Sequence, residues 1–125
     1  MTEPLMILVA GPYRSVTNDD PVLIEANMRA MNQAALQLVR AGHLGITGEA
    51  LALPLLELAG SQHMGDAIWD EIFHPTGRLL AARCDGVLRI GGPSRGADEM
   101  VEVARANGKR VFTSLEDIPV VALSS

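Results

Sequence analysis

The sequence predicts an α/β domain built on a parallel β-sheet. Two short, nearly continuous apolar runs, 5-LMILVA-10 and 86-GVLRI-90, each run into glycine turns, as strands buried on both faces do. Between and after them lie segments whose apolar residues recur at helical spacing, most clearly Leu23, Ala26, Ala30, Ala34, Leu38 and Ala41. Strands alternating with helices give a parallel sheet joined by right-handed crossovers.

In chain order, residues 5–10 form the first strand and 11-GPYRSVTNDD-20 a loop. Pro21 suits the first turn of a helix capped by Asp19 or Asp20, which runs over about 21–41 and is ended by Gly42. Residues 43-HLGIT-47 are a second short strand. The stretch 51-LALPLLELAG-60 reads as helical turns broken by Pro54, and 61-SQHMGD-66 as a loop. Residues 65–84 are helical with an interruption at His74, because Pro75 disfavours helix at the residue before it. The third strand is 86–90, a helix covers about 95–107, and 110-RVF-112 is the fourth strand. Ser114 and Asp117 have capping-box spacing, so 115-LED-117 is one helical turn. No internal repeat or low-complexity linker appears.

The length of 125 residues suits one domain, 1–125, large enough for a core without staples. A net charge of −5 speaks against a surface for polymeric nucleic acid, while leaving room for a small nucleotide in a local cationic pocket. Cys84 is the single cysteine, so no internal disulfide forms; a reducing cytoplasmic setting fits, and Cys84 reads as packing rather than as a nucleophile. No signal sequence or membrane-length apolar span is present, so a soluble protein without a membrane partner is expected.

Ligands of such sheets bind outside the carboxyl ends of the strands, where strand order switches. With strand one central, three loops converge there: Gly11-Pro12-Tyr13-Arg14, Thr47-Gly48-Glu49 and Gly91 to Gly96. Ser94 can cap the following helix, whose first N–H groups attract anions. Gly96 allows close backbone approach, and Arg95 and Arg14 offer cations, so one phosphate could be held. The same stretch also reads as an ordinary strand-to-helix turn, and it matches neither the P-loop nor the dinucleotide fingerprint. In that helix Ala97, Met100, Val101 and Ala104 form the apolar face. Glu99 lies in the first turn near the pocket mouth, and Glu102 lies on the outer side. Trp69, the only tryptophan, could stack on a base but reads first as a core or interface residue. Tyr13 stands at the pocket edge. His43, His63 and His74 lack a metal-binding motif, and no metal or cofactor is expected. The apolar stretch 51–60 calls for a cover, so a homodimer or larger assembly is expected.

Five features taken together, Val9-Ala10-Gly11-Pro12-Tyr13, Cys84-Asp85-Gly86-Val87, Ser94-Arg95-Gly96-Ala97, Ala104 and Gly108-Lys109-Arg110-Val111, resemble the nucleoside 2-deoxyribosyltransferase-like superfamily, closest to its short bacterial branch. The resemblance spans nearly the whole chain. It implies a flavodoxin-like three-layer sandwich with strand order 2-1-3-4. It also implies a nucleoside or nucleoside 5′-monophosphate as ligand, contacted by Gly11, Tyr13 and Arg14 at base and sugar and by Ser94 and Gly96 at the sugar or its phosphate; Pro12 of the first loop and the Arg95 cation join them as expected substrate-binding residues. The superfamily acts at the N-glycosidic bond with a glutamate on the anomeric carbon and an upstream aspartate at the base. This chain departs from it at both places: the usual glutamate position is Met100, and the usual aspartate falls near Gly77. Glu99 is one residue early, turned by about 100° on a helix.

Cleavage of an N-glycoside needs a carboxylate near the anomeric carbon and a donor for the leaving base. Glu99 is the first choice for the former and Asp70 for the latter, with Glu49 a further acid at the same edge. The expected function is an N-glycosidase or (deoxy)ribosyltransferase; the alternative is a nucleotide-binding protein of the same fold that has lost the catalytic glutamate.

Overall fold

The computed structural model describes residues 3–121. Strands β1 (Met6–Ala10), β2 (Leu44–Thr47), β3 (Gly86–Arg89) and β4 (Arg110–Phe112) form one all-parallel sheet in the order β2-β1-β3-β4. Helices α1 (Pro21–Arg40), α2 (Gly48–Ala59), α3 (Ala67–Arg83) and α4 (Arg95–Ala106) flank it, and a 3₁₀ turn, Leu115–Asp117, follows β4. The result is a flavodoxin-like three-layer α/β fold with the strand order expected from the sequence.

The central strand β1 is apolar on both faces because both are covered. Ile7 and Val9, with Leu88 and Phe112, meet Met31, Ala34 and Leu38 of α1. Leu8, Ala10 and Val87 point the other way, against Ala97, Met100, Val101 and Ala104 of α4 and Ala81 and Cys84 at the end of α3. Each fully buried Leu, Ile or Val contributes about 1.5–3 kcal/mol. Cys84 sits inside this second cluster, and burial, assisted by the Asp85 carboxylate, pushes its thiol up to about 11. It is a packing residue. The outer helix α2 packs chiefly on α3, through Ala52, Leu56 and Trp69.

Several boundaries shift from the sequence reading. Asp20 is the cap of α1, accepting the Val22 N–H at 2.9 Å, and the helix ends at Arg40 with Gly42 in the left-handed region at φ +92°. Residue 43 precedes β2: the buried His43 ring accepts the Leu5 N–H at Nδ1 (2.9 Å) and meets the Pro119 carbonyl through Nε2 (2.6 Å), tying β1 to the C-terminal segment. The third strand ends one residue sooner, at Arg89. Ser114 caps the Glu116 N–H at 3.2 Å. The larger correction concerns the prolines. Helix α2 runs unbroken through Pro54 from Gly48, and α3 runs unbroken through Pro75. A helix-interior proline costs about 3 kcal/mol. Ala52 and Leu56 are buried on either side of Pro54, as are Trp69 and Ala81 on either side of Pro75. Each helix is thus held against its neighbours on both sides of its proline, and that packing overrides the local rule.

Candidate functional site

A cleft of about 370 Å³ opens at the carboxyl edge of the sheet. That volume is in the range of small-molecule sites, roughly 300–1,000 Å³. It lies where the chain leaves β1 toward β2 on one side while β3 flanks the other, the switch point of the strand order. The ends of β1 and α4 line its base, α3 forms one wall, and the start of α2 and the loop after β1 complete it.

The α3 wall is aromatic. Trp69 and Phe73 are one helical turn apart, share a face, and stack with ring centroids 4.3 Å apart. Tyr13 joins them from the loop after β1, at 6.2 Å from Trp69 and 5.9 Å from Phe73, and His74 meets Phe73 edge-on at 5.5 Å. Gly77, one further turn along, continues the same face into the cleft. The cap of α3 fixes this wall. Asp66 accepts N–H bonds from Trp69 (2.8 Å), Gln62 (2.8 Å) and His63 (3.1 Å) and the Ser61 hydroxyl at 2.9 Å. These donors, the Trp69 N–H foremost, hold its carboxyl well below the usual range.

The opposite side is the start of α4. The buried Ser94 hydroxyl accepts the Ala97 N–H at 3.2 Å, and the first helical bond, Asp98 N–H to Ser94 carbonyl, spans 3.0 Å. The N–H groups of Arg95 and Gly96 precede those bonds, so an acceptor in the cleft can take them. Arg89 sets the approach to this turn: its guanidinium donates to the Ile90 carbonyl, to the Gly92 carbonyl at 2.9 Å and to Asp98 at 3.1 Å. Gly91 is in the left-handed region (φ +78°), and a Cβ there would fall 2.6 Å from Pro12 Cδ.

Among the described residues Glu49 is the one acidic side chain lining the cleft. It follows the Thr47 cap, whose hydroxyl accepts the Ala50 N–H at 3.1 Å, and occupies the first turn of α2. The residue is 8 % exposed. Burial raises its proton affinity, opposed by its own backbone N–H. Among the described residues no side chain donates to it. Burial first, and the Glu49 charge second, push the Tyr13 phenol up.

Of the residues singled out by sequence, Gly11, Tyr13, Arg14, Glu49, Ser94 and Gly96 line the cleft. Arg14 is occupied there by Asp19, with bonds of 2.7 and 3.1 Å to its two carboxylate oxygens. The loop between them bends through left-handed Val16, Asn18 and Asp19. Pro12 packs on Gly91 and lines a shallow groove on the outer side of the loop. Arg95 is exposed and outside the cleft. Asp70 is exposed in the first turn of α3 and does not line the cleft either. Glu99 is the main correction. Its carboxylate takes the Arg78 guanidinium at 2.6 Å, away from the cleft, because the apolar face of α4 turns Met100 inward instead. Met100 and Gly77, the positions where the superfamily's two carboxylates would fall, both line the cleft, and a Cβ on Gly77 would lie 3.0 Å from Met100 Sδ. The sequence does not single out Phe73 or Ser15. The spacing Trp69, Phe73, Gly77 was the available signal for the first of these.

Fold and cleft together define an α/β protein with a cleft of small-molecule size at the switch point of a parallel sheet. The chain matches no protein-family model and no curated protein. Among the described residues no helix is long and apolar enough to cross a membrane.

Proposed function

We propose that the cleft binds a nucleoside or nucleoside 5′-monophosphate and that the domain is a binding module of the nucleoside 2-deoxyribosyltransferase-like type. The observation that carries this reading is the pairing, across one cleft, of the Tyr13–Trp69–Phe73 wall with the free N–H groups at the start of α4. In this reading the base stacks on the aromatic wall, a contact worth about 1–3 kcal/mol. The sugar lies over Gly11, Gly77 and Met100, and the 5′ end meets Ser94 and Gly96. Binding takes precedence over chemistry because an apolar thioether and a glycine stand where two carboxylates would work. The protein acts in a reducing cytoplasm, consistent with its buried thiol, and as a homo-oligomer joined through α2.

Trp69, the only tryptophan, makes the test direct. Titration with ribo- and deoxyribonucleosides and their 5′-monophosphates should quench its fluorescence saturably. Gly96→Val should weaken the monophosphates at least tenfold by filling the space beside the N–H groups. Absence of a saturable response to every one of these compounds would sink the reading.

A second reading keeps reaction at the N-glycosidic bond, and one observation favours it. In that reading the buried Glu49, whose proton affinity burial raises, would protonate a leaving base. Free base released by the wild type and abolished in Glu49→Gln would establish it; binding without release leaves the first reading standing.

A further inference from the structure

The turn from β3 into α4 sorts its donors from its acceptors, and Arg89 does the sorting. The Arg89 guanidinium donates to the Ile90 carbonyl, to the Gly92 carbonyl at 2.9 Å and to the Asp98 carboxylate at 3.1 Å. Gly91 lies between the two carbonyls in the left-handed region (φ +78°), a backbone state that glycine adopts without strain. The Arg89 side chain is only 16 % exposed, and neither it nor Ile90 nor Gly92 lines the cleft. The acceptor ends of the turn are therefore engaged away from the cleft. Ser94 and Gly96, at the donor end, do line it. Ser94 is 7 % exposed, and its oxygen accepts the Ala97 N–H at 3.2 Å. Its hydroxyl hydrogen meets no acceptor among the described residues. A buried O–H donor at the cleft wall, beside the first N–H groups of α4, calls for an acceptor from outside the chain. The two cations indicated by the sequence do not serve this end: Arg95 is exposed and outside the cleft, and Arg14 is held by Asp19.

We propose that Arg89 is the positioning residue for the anionic end of the ligand: its fork holds the Ile90 and Gly92 carbonyls, so that the Ser94 hydroxyl and the first N–H groups of α4 are presented together to one phosphate group. The proposal deepens the nucleoside reading and rests on it for what lies against the aromatic wall. Arg89 touches no ligand; it acts through the turn. Released from the fork, the two carbonyls are free to rotate, and a carbonyl oxygen turned toward the cleft repels the anion that an N–H attracts. Three groups bonded by one planar guanidinium is a task for arginine, because a lysine ammonium is a single point on a flexible stem. The charge of Arg89 acts in the same direction, placing a mostly buried cation behind the positive end of the α4 dipole. Asp98 offsets that charge only in part, since its own side chain is 69 % exposed and screened by water. Electrostatic support at a partly buried helix end amounts to roughly tenfold in affinity.

The experiment compares matched pairs by calorimetry on the wild type, Arg89→Gln and Arg89→Lys: adenosine 5′-monophosphate against adenosine, cytidine 5′-monophosphate against cytidine, and phenyl phosphate against phenol. The wild type should prefer the phosphorylated member of each pair by about tenfold or more. Arg89→Gln should remove that preference and leave the unphosphorylated member bound as before, a split that a merely structural role would not produce. Arg89→Lys keeps the charge without the fork and should lose most of the preference; if the glutamine variant does not fold, the lysine variant decides. Equal binding of both members by the wild type, a preference unchanged in either variant, or an equal loss for both members would overturn the proposal while nucleoside binding leaves the nucleoside reading intact. Phenyl phosphate bound in an Arg89-dependent way, with no nucleoside or nucleotide bound, would keep the role of Arg89 and overturn the nucleoside reading. Failure of every probe to bind would overturn both.

Discussion

At Glu49, burial of an acid in the cleft makes stability depend on pH. Burial raises the affinity of the folded protein for the Glu49 proton above the ordinary value near 4.5. The folded state therefore holds that proton more tightly than the unfolded chain does. Its contribution is fully present below about pH 4.5 and is lost as pH rises through the raised value. Glu49→Leu removes the penalty of an ionised buried carboxyl. It should raise stability at pH 7 by about 1–3 kcal/mol and shrink toward no effect near pH 4, as read by urea denaturation across that range. An equal effect at both pH values would mean that the carboxyl is solvated in the folded protein. Glu99 shows the reverse situation: exposed and paired with Arg78, it is a surface contact of the kind worth about 1 kcal/mol or less.

Helix α3 is the element that turns composition into a binding wall. Its first turn is organised by Asp66, and because the Trp69 N–H is the leading donor to that carboxylate, the cap and the aromatic face are one device. The folded-state proton affinity of Asp66 is depressed, so its contribution is present above the ordinary value near 3.8 and is lost as pH falls below it. Asp66→Ala should lower the melting temperature at neutral pH and flatten its fall on acidification, and it should weaken fluorescence quenching by nucleotides as the α3 start frays. A variant with wild-type acid sensitivity would show that the cap does not hold the wall. Pro75 teaches the complementary lesson. Its local preference is to end a helix, yet the helix continues because Trp69 before it is buried with Ala52 and Leu56 of α2 and Ala81 after it is buried in the cluster of β1, β3 and α4.

For the molecule as a whole, the outer face of α2 carries an uncovered apolar row. Leu51, Leu55 and Leu58 recur at helical spacing on α2 and are 43 %, 51 % and 87 % exposed. A second copy covering this row is the expected assembly. Light scattering should then give a dimer or larger species, and Leu55→Glu with Leu58→Glu should reduce it to the monomer without loss of helix content. A wild type that scatters as a monomer at all accessible concentrations would remove the oligomer from the reading.

The sequence alone determined the sheet, its helices and the edge on which the cleft opens. Continuous apolar runs such as 5-LMILVA-10 tolerate only a doubly covered strand, and the turns at Gly11 and Gly91 mark where such strands stop. It likewise indicated Tyr13, Ser94, Gly96 and Glu49, because residues just past parallel strands share one edge whatever the details of packing. What only the tertiary structure decided is which side chains turn inward. The rotation of α4 is set by burial of Ala97, Met100, Val101 and Ala104 against β1 and β3, which places Met100 in the cleft and Glu99 on Arg78. The aromatic wall depends on α2 and α3 packing through Ala52, Leu56 and Trp69 while each helix continues past a proline, and that is a balance of non-local burial against a local backbone penalty, which no short stretch of sequence contains.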